Sequence, residues 1–271
     1  MKHMRITSLH TYPVKGCRRL DHDEARVEPW GLAGDRRWMI IDAHGVGITQ
    51  RECAGLALLR ALPVADGLIL RAPGLPEVQV PEPGEGPKEF VRVFRRKAAV
   101  PARLADDAGR WCTDLVGRPA RLAWLADPAA RPIESGARDD DRVTLADGYP
   151  LLLTTEASLA ALSDWLLEAG ADPMPMTRFR PNIVLAGASP WAEDAWVGGR
   201  LRIGAAEFRV ARACARCVVT TIDQETAAAG QQPLRMLGQR RNRDGGLMFG
   251  VSLIPDGADV IRIGDRAAVA D

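Results

Sequence analysis

The sequence predicts a mixed, β-rich fold of the α+β type with a few peripheral helices. Three features lead to it. Short β-branched and aromatic runs alternate with Gly, Pro and Asp turn residues through the first half. Helical spacing of apolar residues is confined to segments near 106–117, 157–169 and 233–241. After the central helix the chain returns to short apolar runs separated by turns.

In chain order, residues 5–12 read as the first strand and 37–42 as the second, followed by a turn at 43–45 and a return strand near Ile48. Residues 59–65 and 68–72 flank Asp66-Gly67, a hairpin signal. Residues 73–87 are rich in Pro and Gly and read as a surface loop, and 90–94 as a strand with one wet face. Together these suggest a barrel-like or sandwich-like N-terminal unit. Asp106 is placed to cap a helix that carries Trp111, Leu115 and Val116 and stops near Gly117. The polar stretch 127–147 marks a domain boundary, giving domains 1–125 and 126–271.

The second half opens on a buried-strand candidate, 150–153. Helix 157–169 follows, with Leu159, Leu162, Leu166 and Leu167 on one face, Thr155 as cap and Gly170 as stop. Residues 182–186, 201–203, 207–211 and 218–222 read as strands, as do the segments near 249–254 and 260–263. The similar tetrapeptides at 201–204 and 261–264 suggest the same local hairpin chemistry rather than a repeat.

The 271 residues are 46% hydrophobic and 26% charged, an ordinary globular balance, and the net charge of +1 argues against a general polyanion binder. The clusters Arg95-Arg96-Lys97 and Arg240-Arg241 lack the interleaved aromatics of a nucleic-acid surface. No apolar run is long enough for a transmembrane helix, and the N-terminus has no signal core, so no membrane partner and a cytoplasmic location are expected. Five scattered cysteines fit a reducing compartment.

Cys214-Ala215-Arg216-Cys217 admits three readings. A structural zinc lacks a second ligand pair, because His3, His10, His22 and His44 all lie far upstream. A thioredoxin-like pair would open a helix, whereas a β-branched run follows here. Two small buried hydrophobes beside a strand is the plain alternative. Arg209, Arg212 and Arg216 precede Cys217, and nearby cations favour a thiolate, the form that binds metal. One soft thiolate suits a metal whose other ligands arrive on an organic cofactor. Lys15 and Gly16 form a turn that could hold a phosphate; Arg36, Arg51 and Arg180, with Asn182, make a set suited to anionic and heterocyclic oxygens. No Walker A, GxGxxG, GxSxG or HExxH sequence occurs.

Six segments in order carry a resemblance: Tyr-Pro-Val-Lys-Gly-Cys at 12–17, Gly-Asp-Arg-Arg-Trp at 34–38, Thr-Gln-Arg at 49–51, Leu-Leu-Leu-Thr-Thr-Glu-Ala-Ser-Leu at 151–159, Phe-Arg-Pro-Asn-Ile-Val at 179–184 and Ala-Cys-Ala-Arg-Cys-Val-Val-Thr-Thr-Ile-Asp at 213–223. The chain resembles the two-domain branch of the MOSC family, which includes amidoxime-reducing members. The resemblance implies a MOSC N-terminal β-barrel domain packed on a MOSC β-barrel domain, with molybdenum cofactor (Mo-molybdopterin) between them. It implies Cys217 as the catalytic molybdenum ligand and Lys15, Gly16, Arg36, Arg180, Asn182 and Arg216 around the pterin and its phosphate. Thr155 and Ser158 would add polar contacts at the helix start, and Arg51 would face the substrate mouth or the phosphate. Position 16 is Gly where amidoxime-reducing members carry Ser. The implied activity is reduction of small N-hydroxylated compounds. No plant-type ferredoxin motif is present, so no iron–sulfur cluster is expected and electrons would come from a separate ferredoxin- or flavoprotein-type donor. The same family suggests alternatives: a persulfide carrier on Cys217, with pyridoxal phosphate association, or a non-catalytic cofactor carrier.

Overall fold

In a computed structural model, which describes residues 3–85, 88–94 and 97–270, the first strand crosses from one half of the chain to the other. Met4–Thr11 pairs with Ile183–Ala186 on one side and Arg266–Ala270 on the other. It thereby enters a closed seven-strand barrel whose other members all come from the C-terminal half. Around the barrel the order is Leu151–Thr155, Ile183–Ala186, Met4–Thr11, Arg266–Ala270, Arg200–Ile203, Ala206–Ala215 and Gly246–Pro255, which pairs back onto Leu151–Thr155. Closure leaves no bare edge. Inward residues such as Ile6, Leu153, Leu185, Phe208 and Val251 fill the interior and are fully or almost fully buried.

Leu151–Thr155 and Ile183–Ala186 run parallel, which requires a crossover connection. Helix Glu156–Glu168 supplies it. Thr155 accepts from the Ser158 N–H as its cap, and Gly170 follows at φ 71°. Leu162 and Leu166 pack with Met236, Leu237 and Phe249. Leu167, expected on the same face, is instead 57% exposed, because 3.6-residue spacing turns it away from Leu162 and Leu166.

The N-terminal half holds a half-barrel sheet of Trp38–Asp42, Ala120–Trp124, Val100–Ala105 and Glu89–Val91, and a meander of Arg60–Val64, Gly67–Arg71 and Val78–Pro81. The last of these lies inside the stretch read as loop; Val78 and Val80 alternate with polar neighbours and pair with the preceding strand. Helix Gly109–Val116 closes the meander's core through Trp111 and Cys112. Asp106 is not its cap: Asp106–Ala108 forms a 3-10 turn that runs into the helix, so the first helical amides are met by that turn. Arg95 and Arg96 of the upstream basic cluster lie outside the described residues.

A three-stranded sheet ties the halves again, pairing Asp259–Arg262 with Glu24–Glu28, which in turn pairs with Gly31–Leu32. The tetrapeptides at 201–204 and 261–264 therefore differ in role. The first turns a barrel hairpin, while the second ends a strand paired with the N-terminal half. Among the described residues no helix is long and apolar enough to cross a membrane.

Candidate functional site

Where the barrel meets the N-terminal half lies a cleft of about 450 Å³. Its N-terminal wall begins at the turn after the first strand. Pro13 ends the pairing, the Lys15 N–H donates to the Trp38 carbonyl at 2.7 Å, and Gly16 adopts φ 86°. The Lys15 side chain is 5% exposed and donates to the Leu145 carbonyl at 2.9 Å and to Asp147. Arg36 and Arg180 both hold left-handed backbones, φ 49° and 54°, a conformation that costs a non-glycine residue about 1–2 kcal/mol. Both guanidiniums lie over the buried Tyr12 ring, at 4.6 and 4.1 Å from its centroid. Burial pushes the Tyr12 phenol up to about 12 despite the two cations, and its hydroxyl donates to the Pro181 carbonyl at 3.0 Å.

Asn182 forms the floor. Its Oδ1 accepts from the Leu152 N–H and from Arg36, both at 3.1 Å, and its Nδ2 donates to the His10 carbonyl and to Asp35. With the amide so engaged, Asn182 fixes the wall, and Arg36 and Arg180 present the cations. Arg180 also donates to the Cys17 carbonyl at 2.7 Å and to Gln224 at 2.9 Å. Gln224 and Gln50 exchange reciprocal amide hydrogen bonds at 2.9 and 3.0 Å across the two halves.

Two irregularities shape the opposite wall. In Ala206–Ala215 the pairing slips between Val210 and Arg212, which face Leu253 and Ser252, so Ala211 is an extra residue. Before it, Ala206, Phe208 and Val210 point into the barrel; after it, Arg212 is exposed. The second slip lies in the partner strand, where Ala213 and Ala215 face Val251 and Met248. Gly250 there takes φ 75°, and a Cβ would sit 2.6 Å from the Leu153 carbonyl oxygen. Past these bulges, residues 212–217 all line the cleft.

Residues 218–222, expected as a strand, instead begin with the 3-10 turn Val218–Thr221, and Cys217 is its extended N-cap. The Thr220 and Thr221 hydroxyls donate back to the Cys217 and Val218 carbonyls at 2.9 and 2.8 Å. Local bonds of this kind compete with a strand ladder. Cys217 Sγ accepts from Arg51 at 3.1 Å, and Cys214 Sγ accepts from Arg216 at 2.9 Å. Arg216 also donates to the Phe179 carbonyl at 2.6 Å, while its buried Nε has no protein partner among the described residues.

The cleft is strongly cationic. Among the described residues, Lys15, Arg36, Arg51 and Lys97 line it from one half and Arg180, Arg212 and Arg216 from the other, against the single carboxylate of Asp147. Burial opposes ionisation of Asp147, but Lys15 and Arg51 outweigh it and hold the carboxyl well below its usual range. Burial draws the Lys15 ammonium down, with Asp147 opposing. Asp147 therefore links the turn at Lys15 to Arg51 and, through Arg51, to the Cys217 sulfur.

Of the residues singled out in the sequence, Lys15, Gly16, Arg36, Arg51, Arg180, Asn182, Arg216 and Cys217 line this one cleft. Thr155 and Ser158 do not. Both are fully buried and bond each other and Glu193, tying the helix start to the 3-10 turn Ala192–Trp196. Asp147, Gln50, Phe94 and Gln224 were not singled out. Phe94 stacks under Lys15 and Arg51 at 5.0 and 4.7 Å. Asp147 sits in a polar stretch without periodicity, so no pattern distinguished it from its neighbours.

Residues 3–119 match the family model described as the MOSC N-terminal beta barrel domain, and residues 140–268 the one described as the MOSC domain. The mitochondrial amidoxime-reducing component 1 of Mus musculus is 30% identical over 96% of this chain and 80% of its own length. This chain belongs to the MOSC family. Further similarity within the family runs to the mitochondrial amidoxime reducing component 2 of Homo sapiens, 30% identical over 87% of this chain and 72% of that one. It also runs to the molybdenum cofactor sulfurase of Danio rerio, 30% identical over 92% of this chain, which spans only 31% of the sulfurase. Among solved structures, the YUAD protein from Bacillus subtilis covers 97% of this MOSC chain and 93% of its own, at 10% identity and a TM-score of 0.45.

Proposed function

We propose that this MOSC protein binds molybdenum cofactor in the cleft and reduces small N-hydroxylated compounds, taking electrons from a separate redox protein. The observation that carries this reading is one cleft lined, among the described residues, by Cys214 and Cys217, seven cations and a single carboxylate, with Arg51 donating to the Cys217 sulfur. The donor set fits the group. A pterin phosphate calls for cations and bare backbone, which Lys15, Arg36, Arg180 and Gly16 offer. The partnerless buried Nε of Arg216 is a donor still available to a ligand oxygen. A metal bound by Cys217 would take its other ligands from the cofactor, because among the described residues no group of three or more His, Cys, Asp or Glu side chains is spaced to hold an ion.

In this reading Cys217 supplies the thiolate, and Lys15, Arg36, Arg180 and Arg216 hold the phosphate and pterin oxygens over the Asn182 floor. When bound, the cofactor supplies the two-electron chemistry that takes R–NH–OH, two electrons and two protons to R–NH2 and water. Arg51, steadied by Asp147 and Phe94, keeps a cation beside the Cys217 sulfur. Thr155 and Ser158 drop out of the cofactor shell, since Glu193 occupies their polar atoms. The amidoxime-reducing relatives, matched over most of their length, support the reductase reading. The persulfide-carrier reading draws on the sulfurases, of which the chain matches under a third.

The test is molybdenum content by elemental mass spectrometry, on protein from cells that make the cofactor. Near-stoichiometric metal is expected in the wild type and in Cys214→Ala, with loss in Cys217→Ala. Loss in Cys214→Ala alone overturns the ligand assignment. A metal-free wild type overturns the cofactor reading and directs attention to a persulfide on Cys217.

A further inference from the structure

A second cavity, about 530 Å³, adjoins the cleft and shares Tyr149, Arg212 and Ala213 with it. Among the described residues, Arg212 is the only charged one common to both. Every other cation of the cleft has a protein partner: Lys15 and Arg51 have Asp147, Arg36 has Asp35, Lys97 has Glu134, and Arg180 and Arg216 donate to carbonyl groups. In the second cavity Arg243 pairs with Asp194, and the Asp244 carboxylate also lines the wall. The Arg212 side chain is exposed, and its guanidinium has no protein hydrogen-bond or ion-pair partner among the described residues.

Its position is built rather than incidental. In a regular strand, with no register slip at Ala211, Arg212 would share the face of Phe208 and Val210 and point into the barrel core. The bulge turns it out to the junction of the two cavities. Cys217 is five residues further along, so the two Cα atoms lie no more than about 18 Å apart even along a fully extended chain. One small molecule can span that distance.

The geometry points to Arg212 as a specificity residue that grips an anionic group, a carboxylate or phosphate, on the substrate whose N-hydroxyl end faces Cys217. This rests on the reductase reading and narrows it to N-hydroxylated compounds with an acidic tail that reaches Arg212 at the junction of the two cavities. An unpaired guanidinium engages such a group by charge-assisted, two-point hydrogen bonding. The cofactor's own phosphate is the competing source of an anion, and the test separates the two.

An aryl amidoxime and its para-carboxylate counterpart are compared with wild type, Arg212→Ala and Arg212→Lys, and molybdenum is measured in each preparation. The wild type is expected to favour the carboxylate in kcat/KM. That preference should fall about ten-fold in Arg212→Ala, chiefly through KM, and be partly restored in Arg212→Lys. It should weaken with added salt. Equal selectivity in wild type and Arg212→Ala overturns the proposal. Loss of molybdenum in Arg212→Ala also overturns it, assigning Arg212 to the cofactor phosphate. Calorimetric titration with the two amidine products gives a readout independent of turnover. If neither amidoxime is reduced but the carboxylated amidine binds more tightly through Arg212, the anion subsite stands and the reductase reading falls. If both amidines bind alike, the subsite falls.

Discussion

Asp147 holds two cations at once, and its removal should be felt in stability before activity. In Asp147→Asn the buried Lys15 ammonium loses its counter-charge and keeps only neutral acceptors such as the Leu145 carbonyl. The Asp147 side chain is 58% exposed, so the cost is discounted to about 1–2 kcal/mol. Its folded pKa is depressed, so its contribution is full above the ordinary carboxylate range and is lost as pH falls through the folded value. Denaturant unfolding of wild type and variant should therefore differ at pH 7 and converge only in strong acid. A constant gap down to pH 2 would show that charge is not the cause. The left-handed arginines give a second expectation. Arg180→Ala and Arg180→Gly lose the same contacts, but only alanine keeps the strained φ of 54°. The glycine variant should be the more stable by about 1 kcal/mol, read from thermal melts. Alkylation of native protein at pH 8 should spare Cys17 and Cys112, whose thiols burial pushes up to about 11 and 12. It should reach the part-exposed Cys53, Cys214 and Cys217, with peptide mass mapping as the readout.

Elements carry the site through their irregularities. The Ala211 bulge and the Gly250 kink turn residues 212–217 toward the cleft. Gly250→Ala combines φ 75° with a Cβ 2.6 Å from the Leu153 carbonyl oxygen, a backbone contact that cannot be relieved by a rotamer change. A loss of about 2–3 kcal/mol in unfolding free energy is expected. If Gly250→Ala melts like the wild type, the kink is not required. Helix caps were readable beforehand: Thr155 and Gly170 sit at the ends that the pattern 157–169 implies. The run 218–222 was not, because β-branched residues favour strands on average, and here Thr220 and Thr221 spend their hydroxyls on local carbonyls.

At the level of the whole molecule, the two halves are stitched together. The first strand completes the C-terminal barrel, and Asp259–Arg262 pairs with the N-terminal half. The cleft at this seam is spanned by the Gln50–Gln224 amide pair. A double-mutant cycle on Gln50→Ala and Gln224→Ala should give a coupling of about 1 kcal/mol, because either single change strands the partner's buried amide. Strict additivity in urea unfolding would show that the pair does not couple the halves.

The β-rich class, the position of the central helix and most of the cleft's cations were legible in the order of residues alone. Periodicity, capping residues and the motifs around Lys15, Arg36, Arg51, Arg180 and Cys217 are local, and local signals survive in one dimension. It took the folded chain to show that Thr155 and Ser158 serve Glu193, that Asp147 joins Lys15 to Arg51, and that Arg212, without a protein partner among the described residues, stands between two cavities. Those facts depend on contacts between residues tens of positions apart in the chain and on a one-residue slip in strand register, which reverses the face of every side chain beyond it. Composition does not record such a slip.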